Sequence, residues 1–205
     1  MAIATAADLE AIRSRLLDAA EALFYARGVQ NVGMDEIRGL SGVSLKRVYQ
    51  LFPAKEDLVE AYLRRRDARW LASLARRVSS EPDPGRRPLV VFDWLGEWFA
   101  EPDFHGCAFV NAFGELGATS PRVARAVADH KAAFLAYVRE WVAAAGRGGS
   151  APELAEQLVL LAEGAMTTAA ITGSPAPART ARQAAEALLA AEPRGAGPRG
   201  AAASR

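Results

Sequence analysis

Residues 42–58 read GVSLKRVYQLFPAKEDL, and this stretch decides the fold. Gly42 can take the left-handed conformation that ends one helix, and Ser44 can cap the next. Pro53 then breaks the chain, which limits the intervening helix to about 44–51. From Ser44 to Lys55 there are three basic residues, Lys46, Arg47 and Lys55, and no acidic one. With Val48 and Leu51 turned inward, Leu45, Lys46, Arg47, Tyr49 and Gln50 lie on or near the exposed face. Lys and Arg donate to guanine edges or phosphates, Gln pairs with adenine, Tyr donates to phosphate and Leu meets a thymine methyl. A short basic helix alone is commonly just a solvated face. Here a helix-ending turn, an acid-free patch and flanking apolar helices coincide.

Upstream, the spacing predicts a helix over 8–27, with Ile12, Leu16, Ala19, Ala20, Leu23 and Phe24 on one face and Gly28 as its stop. A second short helix, over 34–40, carries Asp35 and Glu36 in its first turn. Two short helices joined by Ser41, Gly42 and Val43 form a helix-turn-helix candidate, with Ile37, Val43, Val48 and Leu51 packed against the first helix. Downstream, a long helix is expected over 55–78.

In order and spacing these pieces resemble the TetR family of bacterial transcriptional repressors over about residues 12–63. The matching motifs are the helix of 17–28 ending in Gly, Asp35 to Ile37, Gly42 to Ser44, Tyr49 to Phe52 and Lys55 to Leu58. The resemblance implies that Tyr49 and Lys55 grip phosphates and that Leu45, Lys46, Arg47 and Gln50 meet bases. Gly33, Met34 and Ser44, at the starts of the two short helices, join the DNA-facing set. Arg38 and Ser41 stand where the family places small alanines, Gly33 replaces a Thr cap and Lys46 a frequent Gly, which bears on the operator sequence.

Composition bounds the rest. The chain has 205 residues, 25 Lys plus Arg against 24 Asp plus Glu, two His and one Cys. That length suits one domain, or one with an appendage. A single Cys excludes an internal disulfide, and one Cys with two His is poor material for a structural zinc site. Apolar groups are short and interrupted, so no stretch is expected to approach the roughly 18 uncharged residues of a membrane helix. The first residues lack the pattern of a secretory signal. A cytoplasmic location without a membrane partner follows as the expectation. A net charge of +1 argues against coating nucleic acid over the whole surface, but not against a local patch.

Beyond residue 80 the pattern stays helical. A Pro-rich linker at 81–88 precedes helices expected over 88–100, 107–118, 121–145, 152–172 and 177–191, with Ser120 capping the third of these. Residues 192–205 hold no large apolar side chain and are expected to be a disordered tail. The fold class is therefore all-α, with about nine helices. A helix-turn-helix domain is expected at 8–54, and an effector-binding and dimerisation domain at 55–191.

Aromatic and polar residues in the central helices suit a hydrophobic or aromatic effector: Trp70, Trp94, Trp98, Phe104, Phe109, Asn111, Phe113, His130, Phe134 and Met166. Core packing is the competing reading for such residues. Leu154, Leu158, Leu161, Ala162, Ala165 and Ala169 form one stripe and Ala181, Ala184 and Leu188 another. The family resemblance implies a homodimer seam there. His105 and Cys107 lie two residues apart without a supporting motif, so neither catalysis nor a cofactor or metal is expected, and of the two uses of Cys107 a thiol sensor ranks above a nucleophile. The expectation is a homodimeric repressor of a palindromic operator, released by a small effector. The alternatives are an activator or global regulator of the same fold and, beyond DNA, a helical ligand carrier or enzyme.

Overall fold

Thr5 starts the first helix earlier than residue 8. Its hydroxyl accepts from the Asp8 backbone N–H at 3.2 Å while the Asp8 carboxylate accepts from the Thr5 N–H at 3.0 Å, a reciprocal cap that opens α1 (Ala6–Arg27). The computed structural model describes residues 5–147 and 149–191; the expected tail at 192–205 lies outside the described residues.

Helix α2 (Met34–Ser41) ends at Gly42, whose φ of 65° is left-handed, and α3 (Leu45–Leu51) follows. The expected turn is therefore present. Ser44 occupies the cap position of α3, but its hydroxyl makes no cap hydrogen bond; its carbonyl instead accepts from Arg47 and Val48. Helix α4 (Lys55–Ser79) starts where Asp57 accepts from the Ala54 N–H at 2.9 Å. Then come α5 (Arg87–Phe99), α6 (Ala108–Leu116), α7 (Pro121–Val142), a π-helical turn (Ala143–Arg147), α8 (Ala151–Thr172) and α9 (Ala176–Ala191). Among the described residues there are nine α-helices and no strand, so the all-α class holds. Two ends fall short of expectation. Helix α6 stops at Leu116 rather than 118, and α7 gives way at Val142 to the π turn, where Gly146 has a φ of 83°.

The chain divides into two compact units. The first comprises residues up to Trp70 together with Cys107–Lys131: α1, α2, α3, most of α4, α6 and the first part of α7. Its core includes Leu16, Phe24, Ile37, Val48, Phe52, Leu58 and Tyr62. The second comprises Leu71–Gly106 and the described residues from Ala132 to Ala191, in which α5, α8 and α9 pack on one another around Val91, Leu95, Leu158, Ala162, Met166 and Ala185. The unit bearing the helix-turn-helix thus does not end at residue 54 but takes in a segment from beyond residue 100. Polar links explain why: Arg64 of α4 pairs with Asp129 of α7 at 2.6 Å, Ser120 donates to Glu56 at 3.1 Å, and Arg122 pairs with Asp57.

Helix α8 is long and apolar enough, by length and composition, to cross a membrane, although Glu156 and Glu163 interrupt its apolar run. Its Leu154, Leu158, Ala162 and Met166 are buried, as in any helix central to a protein core.

Candidate nucleic-acid interface

At 100° per residue, Leu45, Lys46, Tyr49 and Gln50 fall on one side of α3, with Val48 opposite. The exposures agree: Leu45 and Tyr49 are 44% and 47% exposed, Lys46 and Gln50 are exposed, and Val48 is fully buried. Arg47 projects between this face and the buried side and is half-buried, so it stands at the edge of the exposed face rather than within it. The remaining expected DNA-facing positions are unequal. Ser44 is exposed and Met34 half-buried, whereas the backbone N–H of Gly33 is taken by Glu36 Oε1 at 3.0 Å and cannot also serve a phosphate.

Lys55 lies half-buried beside this face, its ammonium 5.9 Å from the centre of the Phe24 ring. Burial holds it below the ordinary lysine range, while the charges of Glu115 and Glu36 act in the opposite direction. Its field is thus partly offset from inside the protein, and the freest cation of the set is Lys46.

The head is fixed to α4 by a cluster of charges. Glu21 of α1 accepts from Arg65 at 2.9 Å, Arg66 at 2.9 Å and Arg69 at 3.1 Å, and Asp18 pairs with Arg65 at 2.8 Å. Arg66 also lies over the Tyr25 ring at 3.9 Å. The α1–α2 loop is held from α6: the Glu115 carboxylate accepts from the backbone N–H of Val29 at 2.9 Å and of Gln30 at 2.6 Å, and Gln30 Nε2 donates to the Glu115 carbonyl at 2.8 Å. Sequence reasoning assigns none of these roles. The signal for the first is the acidic pair on α1 facing the Arg-rich run at 64–69; Glu115 gives only an acid at the end of an apolar helix.

The effector candidates fall in both units. In the first, His130 is almost fully buried. It is stacked on Phe109 with centroids 3.6 Å apart and set edge-on to Trp70 at 5.2 Å, and its Nδ1 lies 2.7 Å from Asp67 Oδ1. Asn111 and Phe113 are exposed on α6, and the void that Asn111 lines with Tyr62 and Glu115 measures only about 10 Å³, the size of one water. In the second unit, half-buried Trp94, Trp98 and Phe104 form an aromatic ladder, Trp98 meeting Trp94 at 5.7 Å and Phe104 at 5.1 Å. Phe134 and Met166 are buried, which favours the core reading for them.

Of the dimer candidates, Leu154, Leu158, Ala162, Ala165, Ala169 and Ala181 are buried within this single chain, while Leu161, Ala184 and Leu188 are half-buried. The open side of the same helices shows Leu160 and Ile171, 72% and 80% exposed. It is grooved by a cavity of about 580 Å³ lined by Leu160, Leu161, Gly164, Thr168, Pro177 and Ala184 among others. The apolar stripe is therefore mostly core, and among the described residues the exposed apolar surface is the adjoining one. His105 is exposed, whereas Cys107 is buried and its Sγ accepts from Lys131 at 3.5 Å.

Comparison with known proteins agrees with this architecture. Residues 16–62 match the family described as bacterial regulatory proteins, tetR family, and residues 89–185 match the tetracyclin repressor-like C-terminal domain. A TetR-family transcriptional regulator from Streptomyces coelicolor is 32% identical and superposes with a TM-score of 0.80 over 87% of this chain and 88% of that one. An uncharacterized HTH-type transcriptional regulator of Mycobacterium tuberculosis is 35% identical over 81 residues, 40% of each chain. The transcriptional activator FasR of Mycolicibacterium smegmatis is 31% identical over 115 residues, 56% of this chain and 51% of that protein. The matched segment thus spans about two fifths to one half of these curated relatives.

Proposed function

The chain belongs to the TetR family of bacterial regulatory proteins, and from that premise we propose that it is a cytoplasmic, homodimeric transcriptional repressor that reads a palindromic operator through α3. The observation that carries this reading is the acid-free exposed face of Leu45, Lys46, Tyr49 and Gln50 beside the left-handed turn at Gly42. Two such heads enter successive major grooves when they stand about 34–36 Å apart. The open face of α8 and α9 around Leu160 and Ile171 supplies apolar surface for a second copy. A small apolar or aromatic effector releases the operator by binding better to a dimer whose heads are wrongly spaced, and only its differential affinity for the two conformations does work. The His130, Phe109 and Trp70 set and the half-buried Trp94, Trp98 and Phe104 set are its candidate walls.

A gel shift with the DNA immediately upstream of the protein's own gene tests the reading. A retarded band that outcompetes unrelated DNA and weakens steeply with salt is expected, because phosphate contacts release counterions. Absence of a shift, or a response indifferent to salt, contradicts it. The similarity to FasR, an activator, favours one second reading, activation through the same head. Transcription from the bound promoter, measured with and without the protein, separates the two: repression lowers it and activation raises it.

A further inference from the structure

Glu115 breaks a local rule. An acidic side chain in the last turn of a helix faces the negative end of the helix dipole, which disfavours it, yet Glu115 stands one residue from the end of α6. What offsets this lies outside α6. The carboxylate receives the N–H groups of Val29 and Gln30, and Val29 is buried, so its N–H would otherwise lose water without a partner.

Gly28 supplies an independent sign that the approach is built into the chain. Its φ of 83° and ψ of 156° lie in a region that essentially only glycine occupies. A Cβ at this position would come within 2.9 Å of Glu115 Oε1. Gly28 thus ends α1 and also leaves the space through which the carboxylate reaches the backbone.

The loop so held is not slack beyond that point. Arg27 donates to the Asn31 carbonyl at 3.1 Å and pairs with Glu36 at 2.6 Å, and Glu36 in turn receives the N–H of Gly33, where α2 begins. At the other end of α6, Phe109 in its first turn is stacked on His130. Six residues of helix, about 9 Å, separate Phe109 from Glu115. One short rigid element therefore carries a buried aromatic contact at its start and the anchor of the reading head at its finish.

We propose that Glu115 is the positioning residue through which α6 sets the α1–α2 loop and hence the reading head, so that displacing Phe109 from His130 loosens the head. The proposal rests on the DNA-binding reading of α3 for its consequence, but the tether is measurable without DNA.

Amide hydrogen exchange on the full chain is compared for the wild type, Glu115→Gln, Gly28→Ala and Phe109→Leu. Glu115→Gln removes the charge and one acceptor, while Gly28→Ala changes no residue of α6 but drives a methyl to within 2.9 Å of the carboxylate, at a φ that alanine adopts only with strain. In both, exchange at Val29 and Gln30 should rise by about tenfold or more, as expected when a charge-assisted hydrogen bond is removed, while amides of α8 keep their protection. Operator affinity should fall in parallel. Phe109→Leu touches neither amide, yet it should raise the same two exchange rates. Unchanged exchange in Glu115→Gln and Gly28→Ala overturns the tether. Faster exchange with undiminished operator affinity overturns the positioning role. A response to Glu115→Gln without one to Phe109→Leu overturns transmission along α6. A wild type that binds no DNA specifically while its variants exchange faster refutes the reading of α3 instead, so the two failures are distinguishable.

Discussion

The imidazole of His130 and the ring of Phe109 lie parallel, 7° apart in plane with centroids separated by 3.6 Å. Almost complete burial of the histidine sets its ionisation. Desolvation pulls the imidazole down to about 4, assisted by the nearby charges of Lys131 and Arg66 and resisted by the hydrogen bond and charge of Asp67. An unfolded histidine titrates near 6.5. Between these values the unfolded chain binds more protons than the folded one, so stability falls as pH drops from about 6.5 toward 4 and carries no slope from this group above that window. Denaturant titrations at pH 7 and pH 5 should show the wild type losing about 2 kcal/mol more than His130→Asn over that interval. Parallel losses in the two proteins would contradict this account of His130.

The contact between Glu21 and the arginines of α4 yields a second expectation. Arg65 and Arg66 are only 17% and 14% exposed at the side chain, so removing their shared partner leaves Arg65 with Asp18 as its remaining carboxylate and Arg66 with the Tyr25 ring, both poorly hydrated. Glu21→Ala should lower stability by about 2 kcal/mol, less than for a fully buried pair because all three groups retain some water. Arg69→Ala should cost less than about 1 kcal/mol, since Arg69 is 57% exposed and exposed ion pairs contribute little. Thermal unfolding of the two variants checks the order. Equal effects would show that burial does not govern this cluster.

A third expectation concerns self-association. Among the described residues no element covers Leu160 and Ile171 of α8, and exposed apolar patches of this kind mark interfaces. Leu160→Glu together with Ile171→Glu should convert a dimer to a monomer in sedimentation analysis without lowering helical content. Leu158→Glu, at a buried position, should instead reduce folding itself. Persistence of the dimer in the double variant would place the seam elsewhere.

The helix-turn-helix is legible in sequence because its signals are local. Gly42, Pro53 and the alternation of Val48 and Leu51 with polar residues each act within a few positions, and the structure places α2, the turn and α3 accordingly. Arg47 shows the resolution of that reading, since one step of 100° on a short helix moves it to the edge of the exposed face, where it is half-buried. Features formed between distant segments are not legible. The partner of the Val29 and Gln30 amides lies more than eighty residues away, and no periodicity reports such a pairing. The stripe at Leu154, Leu158 and Ala162 is visible, but a sequence pattern does not say whether an apolar face meets its own chain or another. Here α5 and α9 cover it.

The most direct test of the central claim, that α3 is a DNA-reading helix, is fluorescence anisotropy of an operator fragment with the wild type and with Lys46→Ala/Gln50→Ala. Both side chains are exposed, so circular dichroism and thermal unfolding should be unchanged. A side chain that pairs with a base edge contributes about 1–3 kcal/mol of discrimination. The variant should therefore bind operator at least about tenfold more weakly, and its preference for operator over unrelated DNA should fall. Specific binding at wild-type strength by the folded double variant would contradict the account.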